Sequence, residues 1–283
     1  MSWLIFALVF WIGAWMLNTW LANSAWRGSV VVRVLIPVLF GVTLIVLWEG
    51  IVRGFGVSPV ILPAPSTVAQ TFAASTDILW EDFRQTVLKG ALSGFVIGVL
   101  AAFATAIVID RSAFLTRGLL PIGNFVAALP IVGIAPILVS WFGFDWHSKA
   151  AVVVVMVFFP ILVNTVQGLR ETDAMQRDLM RTYAASYFDT LLKLRLPAAL
   201  PFVFNGLKIA TTLALIGAIV AEYFGSPTRG MGFRISTGVG SLSIDLVWAE
   251  IAVAALAGTA FYGLVAWVEK RVTFWHPSHR GHG

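Results

Sequence analysis

No cysteine occurs in this chain of 283 residues, which excludes disulfides and thiolate metal sites. Charge is scarce as well. Asp, Glu, Lys and Arg supply 12% of the residues, against about 25% in a soluble domain, whereas 59% are hydrophobic. Of the four histidines, His276, His279 and His282 lie in the C-terminal tail and only His147 lies elsewhere. Neither His-Glu-x-x-His nor Gly-x-Ser-x-Gly is present, so zinc-hydrolase and nucleophile-elbow chemistry drop out and the sequence offers no catalytic or metal-binding set. Polar–apolar alternation over segments of about ten residues is missing too, which argues against a transmembrane barrel.

What remains is apolar sequence in long runs. Spans are expected at roughly 3–22, 33–52, 86–109, 118–142, 149–168, 203–223 and 246–268. Each is long enough to cross a bilayer, and backbone polar groups unpaired in lipid force such runs to be helical. The expectation is an all-α integral membrane protein. The net charge of +5 does not point to nucleic acid, because the basic residues sit in short loops beside the apolar runs. Placing the loop around Asp178–Pro197 in the cytoplasm puts about twice as many Lys and Arg on that side as on the other. The C-terminus is then cytoplasmic and the N-terminus external. The first run lacks preceding basic residues and is rich in Trp, so it is expected to be a retained helix rather than a signal peptide.

Gly225-Ser-Pro-Thr-Arg-Gly230 has the glycine spacing of a phosphate loop. Such a loop needs Lys and then Ser or Thr after its second Gly, and Met231-Gly232 stands there instead. A turn leading to a short helix at about 231–240 is the better reading. Another Pro-rich stretch, Leu62-Pro63-Ala64-Pro65-Ser66, predicts a turn into a short helix with Ser66 as N-cap.

Ionisable residues near membrane depth are functional candidates by default: Glu49, Lys89, Lys208, Glu222 and Glu250. Pro130 and Pro136 break the fourth run, as tolerated where a cavity or neighbours satisfy the backbone. Asn124, Pro130, Pro136, Asn205 and Glu222 are therefore the candidate pathway residues. Glu222 would repel an anionic cargo unless paired, and Arg229 and Arg234 are its nearest cations in sequence. Gly90, Gly94 and Gly98 recur every four residues, which favours close helix packing within the chain.

The most informative stretch runs from Asp178 to Pro197. It is a polar, basic, helix-forming island between apolar runs, read as two short helices around a turn. Tyr183, Tyr187 and Phe188 offer apolar anchors, Ala184, Ala185 and Ser186 a small-residue patch, and Arg181, Lys193 and Arg195 rim charge, a pattern suited to docking a helix in a groove. A helix lying on lipid has similar composition.

The spacing of Asp178-Leu179-Met180, Ala184, Leu194 and Leu196-Pro197 resembles the EAA coupling loop of ABC-importer permeases, which has Ala, Ala and Gly where Leu179, Met180 and Ala184 stand here. Further stretches are similar to the nitrate, sulfonate and taurine branch of those permeases: Leu47-Trp48-Glu49, Leu62–Ser66, Leu129–Pro136, Leu196–Pro201 and Gly217–Gly225. The resemblance implies a type I importer permease fold at 33–272, with a coupling loop at about 170–200 and a tail at 273–283. The six-helix core would carry one extra N-terminal helix within 1–25. It implies Asp178, Arg181, Tyr183, Ala184, Ala185, Ser186, Leu194, Leu196 and Pro197 as ATPase-coupling residues. It also implies a second permease copy, an ATPase dimer that binds ATP and Mg, an external substrate-binding protein, and an inner-membrane location. The chain itself would hold no cofactor and hydrolyse nothing. The alternative is a secondary transporter driven by an ion gradient, which would favour internal half-repeats; none is visible.

Overall fold

A computed structural model describes residues 2–127, 129–225 and 228–275, with the side chains of Ala113, Thr116, Leu120, Asn124 and Ala127 excepted. The described residues form eleven helices: α1 (Ser2–Asn23), α2 (Val30–Phe55), α3 (Pro65–Ala74), α4 (Thr76–Asp110), α5 (Ala113–Ala127), α6 (Ile131–Phe142), α7 (Trp146–Arg170), α8 (Ala174–Thr182), α9 (Tyr187–Phe224), α10 (Met231–Gly240) and α11 (Ile244–Val272). Six of them, α1, α2, α4, α7, α9 and α11, are long and apolar enough to cross a membrane.

The expected single span at 118–142 is instead two shorter helices. Pro130 stands at the N-cap of α6 with extended backbone. Proline has no N–H to continue a helix and turns the residue before it away from helical geometry, so the apolar run divides there. Pro136 is accommodated inside α6. A second correction concerns Ser66. The N-cap of α3 is Ala64, because Pro65 takes the first helical position, where its missing N–H costs nothing. Pro197 and Pro201 lie inside α9. A π-helical turn at Leu191–Arg195 precedes them, and Pro197 falls in the first turn of the α-helical stretch that follows.

The chain divides into two compact units. In the first, residues 1–79 and 237–251, α1 and α2 form an antiparallel hairpin. Ala7 lies against Gly50 and Leu4 against Gly54, and a Cβ on Gly50 would come within 2.3 Å of that of Ala7. Ala7, Ala14 and Leu21 line the buried face, while Trp15 and Trp20 point outward. Glu49 holds the start of α3, accepting from Ser66 N–H at 2.9 Å and Ser66 Oγ at 2.7 Å, and it pairs with Arg53. Trp48 and Trp248 pack at 4.8 Å.

In the second unit, residues 80–236 and 252–283, α7 is central. Its neighbour α4 runs parallel to it: Gly94 sits over Val153 and Gly98 over Val157, at distances where an added Cβ would clash at 2.5 and 2.4 Å. The glycine row thus serves packing inside the chain. On the other side α9 runs antiparallel, with Gly168 against Ala199, Gly206 against Asn164 and Gly217 against Met156. Ala106, Ile109, Val157, Ile161, Ala210 and Ala214 belong to the buried cluster between these helices. Small residues let the backbones approach, as membrane helices require in place of a hydrophobic drive. Helix α11 follows α9, with Lys208 bound to Glu269 at 2.8 Å and Phe95 against Phe261 at 4.8 Å. This arrangement gathers the ends of α4 and α7 at the start of α9, and the starts of α4 and α7 at its end.

Candidate functional site

The loop between α7 and the apolar part of α9 is built from local rules. Asp173 caps α8, accepting from Gln176 N–H at 3.0 Å, while the Gln176 side chain accepts from Asp173 N–H at 3.3 Å; the reciprocal pair satisfies two orphan donors. Helix α8 ends in a left-handed residue, Ala184, at φ +50°. Ala184 N–H donates to Arg181 O at 2.9 Å and Ala185 N–H to Met180 O at 3.0 Å. That is the Schellman arrangement, whose left-handed position is normally glycine. Ser186 then caps α9 by accepting from Asp189 N–H at 3.1 Å. The result is one short helix, a tight turn and the start of α9; the second of the two expected short helices is continuous with that long helix.

This loop stands on a fixed base. Arg195 reaches both oxygens of Asp110 at 2.6 and 2.7 Å and donates to Leu169 O at 2.8 Å. Tyr187 donates to Asp110 at 3.0 Å. The Arg111 guanidinium lies 4.5 Å from the Tyr187 ring and 4.7 Å from that of Phe188. Leu191 is buried with Leu169 and Ala199, and Leu196 packs beside them. Arg195 and Tyr187 are thus anchors into the body of the fold, not parts of an outer rim. A bidentate, mostly buried ion pair holds geometry in a way that a solvated pair cannot.

The opposite face is open. Met175, Leu179, Tyr183 and Phe188 are 82%, 56%, 77% and 58% exposed. Asp178, Arg181, Ala184 and Ser186 are exposed beside them, whereas Ala185, Leu194, Leu196 and Pro197 are half-buried against the base. Arg181 pairs with Asp178 at 3.1 Å and Lys193 with Asp189 at 2.6 Å. Exposed apolar side chains on polar helices, held on a rigid base, form a surface that buries area when something docks.

The pathway candidates are scattered. Pro130 and Pro136 are exposed on α6. Asn205 is exposed on α9 and donates to Asn164 Oδ1 at 3.1 Å. The side chain of Asn124 lies outside the described residues, as do His276, His279, His282 and Arg280. Glu222 is 1% exposed, accepting from Thr86 Oγ1 at 2.7 Å and from Gly232 N–H at 3.1 Å. Its expected cations are engaged with other carboxylates, Arg229 with Glu81 at 2.6 Å and Arg234 with Asp82 at 2.8 Å. Lys89 is exposed and Glu250 fully buried. At the start of α10, Gly230 N–H donates to Asp82 Oδ1 at 2.6 Å, so a carboxylate occupies the amide that a phosphate loop would offer its anion.

Sequence reading missed Asp82, Thr86 and Lys149, all fully buried. Lys149 donates to Phe144 O at 2.5 Å and to Gly225 O. The signal available was weak, since each lies at the start of an apolar run, where a polar residue ordinarily meets water or headgroups.

The family model described as "Binding-protein-dependent transport system inner membrane component" matches residues 94–274. A probable ABC transporter permease protein of Haemophilus influenzae is 32% identical over 240 residues, covering 85% of this chain and 97% of the relative. The formylaminopyrimidine transport permease protein ThiX of Halalkalibacterium halodurans is 31% identical over 243 residues, 84% of this chain and 95% of its own. The putative aliphatic sulfonates transport permease protein SsuC of Bacillus subtilis is 29% identical over 255 residues, 86% and 88% respectively. With its long apolar helices and its loop at 174–197, the chain belongs to the binding-protein-dependent ABC transporter permeases and is a membrane-embedded permease subunit, of the type I fold, for ATP-driven import of a small solute.

Proposed function

We propose that the α8–α9 loop is the surface on which a cytoplasmic ATPase subunit docks. The observation that carries this is the exposed row Met175, Leu179, Tyr183 and Phe188, presented by a base that Arg195 and Asp110 lock to α4 and α7. Asp178, Arg181, Ala184, Ala185 and Ser186 shape its surface, and Leu194, Leu196 and Pro197 its seat. A lipid-facing amphipathic helix needs no such anchoring. In this reading the loop and the C-terminus are cytoplasmic and the N-terminus is external, in agreement with the Lys and Arg bias.

The permease then works as a pair, two copies of this chain with two ATPase subunits that bind ATP and Mg, and an external binding protein delivers the solute. This chain hydrolyses nothing and holds no cofactor. ATP-driven closure of the ATPase pair moves the two loops together and alternates access. The pathway lies between the two copies, lined by α6 with Pro130 and Pro136 and by the exposed Asn205 face of α9. Glu222 serves structure at the pathway's outer end. The relatives' names specify different cargoes, so the cargo is assigned here only as a small solute.

Single cysteines replacing Tyr183 and Phe188 test the docking face cleanly, because the chain has no native thiol. Both are expected to react with an impermeant reagent only from the cytoplasmic side of inner-membrane vesicles, and to be shielded while the ATPase is bound. Reaction from the external side, or equal reaction with and without the ATPase, would overturn the assignment.

A further inference from the structure

At the Phe224 end of α9, segments far apart in sequence meet around the first turn of α10. Three successive backbone amides are handed to buried side chains: Gly230 N–H to Asp82 Oδ1 at 2.6 Å, Met231 N–H to Thr86 Oγ1 at 2.8 Å and Gly232 N–H to Glu222 Oε2 at 3.1 Å. Thr86 also donates to Glu222 at 2.7 Å, and Arg234, from α10 itself, binds Asp82 at 2.8 Å. A helix start ordinarily gives these amides to a local cap or to water. Here two carboxylates, from α4 and α9, take the Gly230 and Gly232 amides and the Thr86 hydroxyl takes that of Met231, and the helix dipole favours the two carboxylates.

The contact has no slack. A Cβ on Gly232 would lie 2.1 Å from Ile219 O, and one on Gly230 2.5 Å from the Glu222 carboxylate. Thr86 and Asp82 lie at or beside the π-helical turn Arg84–Ala91 of α4; such turns re-aim side chains and recur at functional positions. Lys149 clamps the same end, donating to Gly225 O just beyond α9. Pulling α10 away would strand buried carboxylates, a large penalty. The start of α10 therefore moves with the end of α9. Helix α9 begins in the docking loop and runs 38 residues without a break, about 55 Å at helical rise.

We propose that Asp82, Thr86 and Glu222 are positioning residues that yoke α10 to α9, so that a displacement of the docking loop at one end of α9 is delivered to α10 at the other. The proposal rests on the reading that the loop receives the motion of an ATPase.

The reporter is a single cysteine replacing Val239, an exposed residue of α10, labelled with a charged methanethiosulfonate reagent in the purified permease–ATPase complex. Rates are compared without nucleotide and with ATP plus orthovanadate. The parent complex is expected to show a several-fold difference between the two conditions. In the Thr86→Val and Glu222→Ala complexes that difference should vanish while ATP hydrolysis continues, a split that a general loss of folding would not produce. Glu222→Gln keeps an acceptor for Gly232 N–H and should restore it. Thr86→Val exchanges only a hydroxyl for a methyl, so it carries the test should Glu222→Ala fail to assemble. A difference that persists in Thr86→Val, or that is missing from the parent, overturns the yoke. A parent permease that brings down no ATPase at all overturns the docking reading, and the yoke with it.

Discussion

Ala184 bears a cost that a glycine would not. At φ +50° a residue with a Cβ sits about 1–2 kcal/mol above its right-handed conformation. The glycine preference of the related loops thus has a backbone origin beside the demand for a small docking surface. Replacing alanine by glycine gives back about 0.4–1 kcal/mol through the freer unfolded chain. Ala184→Gly should therefore stabilise the loop by a net of roughly 0.5–1 kcal/mol and slow native-state proteolysis between Tyr183 and Tyr187 a few-fold. Faster cleavage would mean that the turn is not held in the left-handed form. Arg195 makes a different demand. It bridges both Asp110 oxygens and Leu169 O, a fork that lysine cannot reproduce. Removing one partner of a pair this buried costs about 3–5 kcal/mol, so Arg195→Ala is expected to abolish ATPase binding and Arg195→Lys to restore little of it. Full binding by the lysine variant, measured by co-purification, would show that the fork is dispensable.

At the scale of elements, close approach decides the fold. Gly94 faces Val153 and the Ala150 carbonyl, with an added Cβ at 2.5 and 2.7 Å, whereas Gly133 on α6 has open space around it. Gly94→Leu should part α4 from α7 and remove the monodisperse peak in detergent chromatography, while Gly133→Ala should leave it unchanged. If Gly94→Leu eluted normally, the glycine row would have to serve something other than this seam. Here, too, the limits of reading a sequence are visible. Six long helices were legible because an apolar run of about 20 residues has few alternatives in lipid. The run at 118–142 misled because its mean apolarity hides the backbone break at Pro130. Helix ends ran past the apolar stretches, most clearly at α9, which starts at Tyr187 because the π turn carries the helix across to Pro197. Ser66 had the right residue type for a cap, but Pro65 claimed the first helical position.

Over the whole molecule, the two ends of α9 differ in legibility. The helix and turn of the 174–197 loop were readable because the pattern that sets them is local, from Asp178 to Pro197. The Asp82–Gly230 and Thr86–Glu222 contacts span 148 and 136 residues, and nothing in a linear pattern pairs them. Likewise, the anchoring role of Arg195 depends on Asp110, 85 residues away, so its composition alone suggested rim charge.

The central claim is that the exposed face of the 174–197 loop recruits the ATPase, and one measurement bears on it directly. Affinity-tagged permease is purified from its native membrane, and the ATP hydrolysis that accompanies it is measured for the wild type, Ala184→Gly and Ala184→Glu. The account predicts that hydrolysis accompanies the wild type and Ala184→Gly, and is lost together with the ATPase polypeptide from Ala184→Glu, whose permease remains folded and membrane-inserted. Wild-type levels of bound ATPase on a folded Ala184→Glu permease would contradict it.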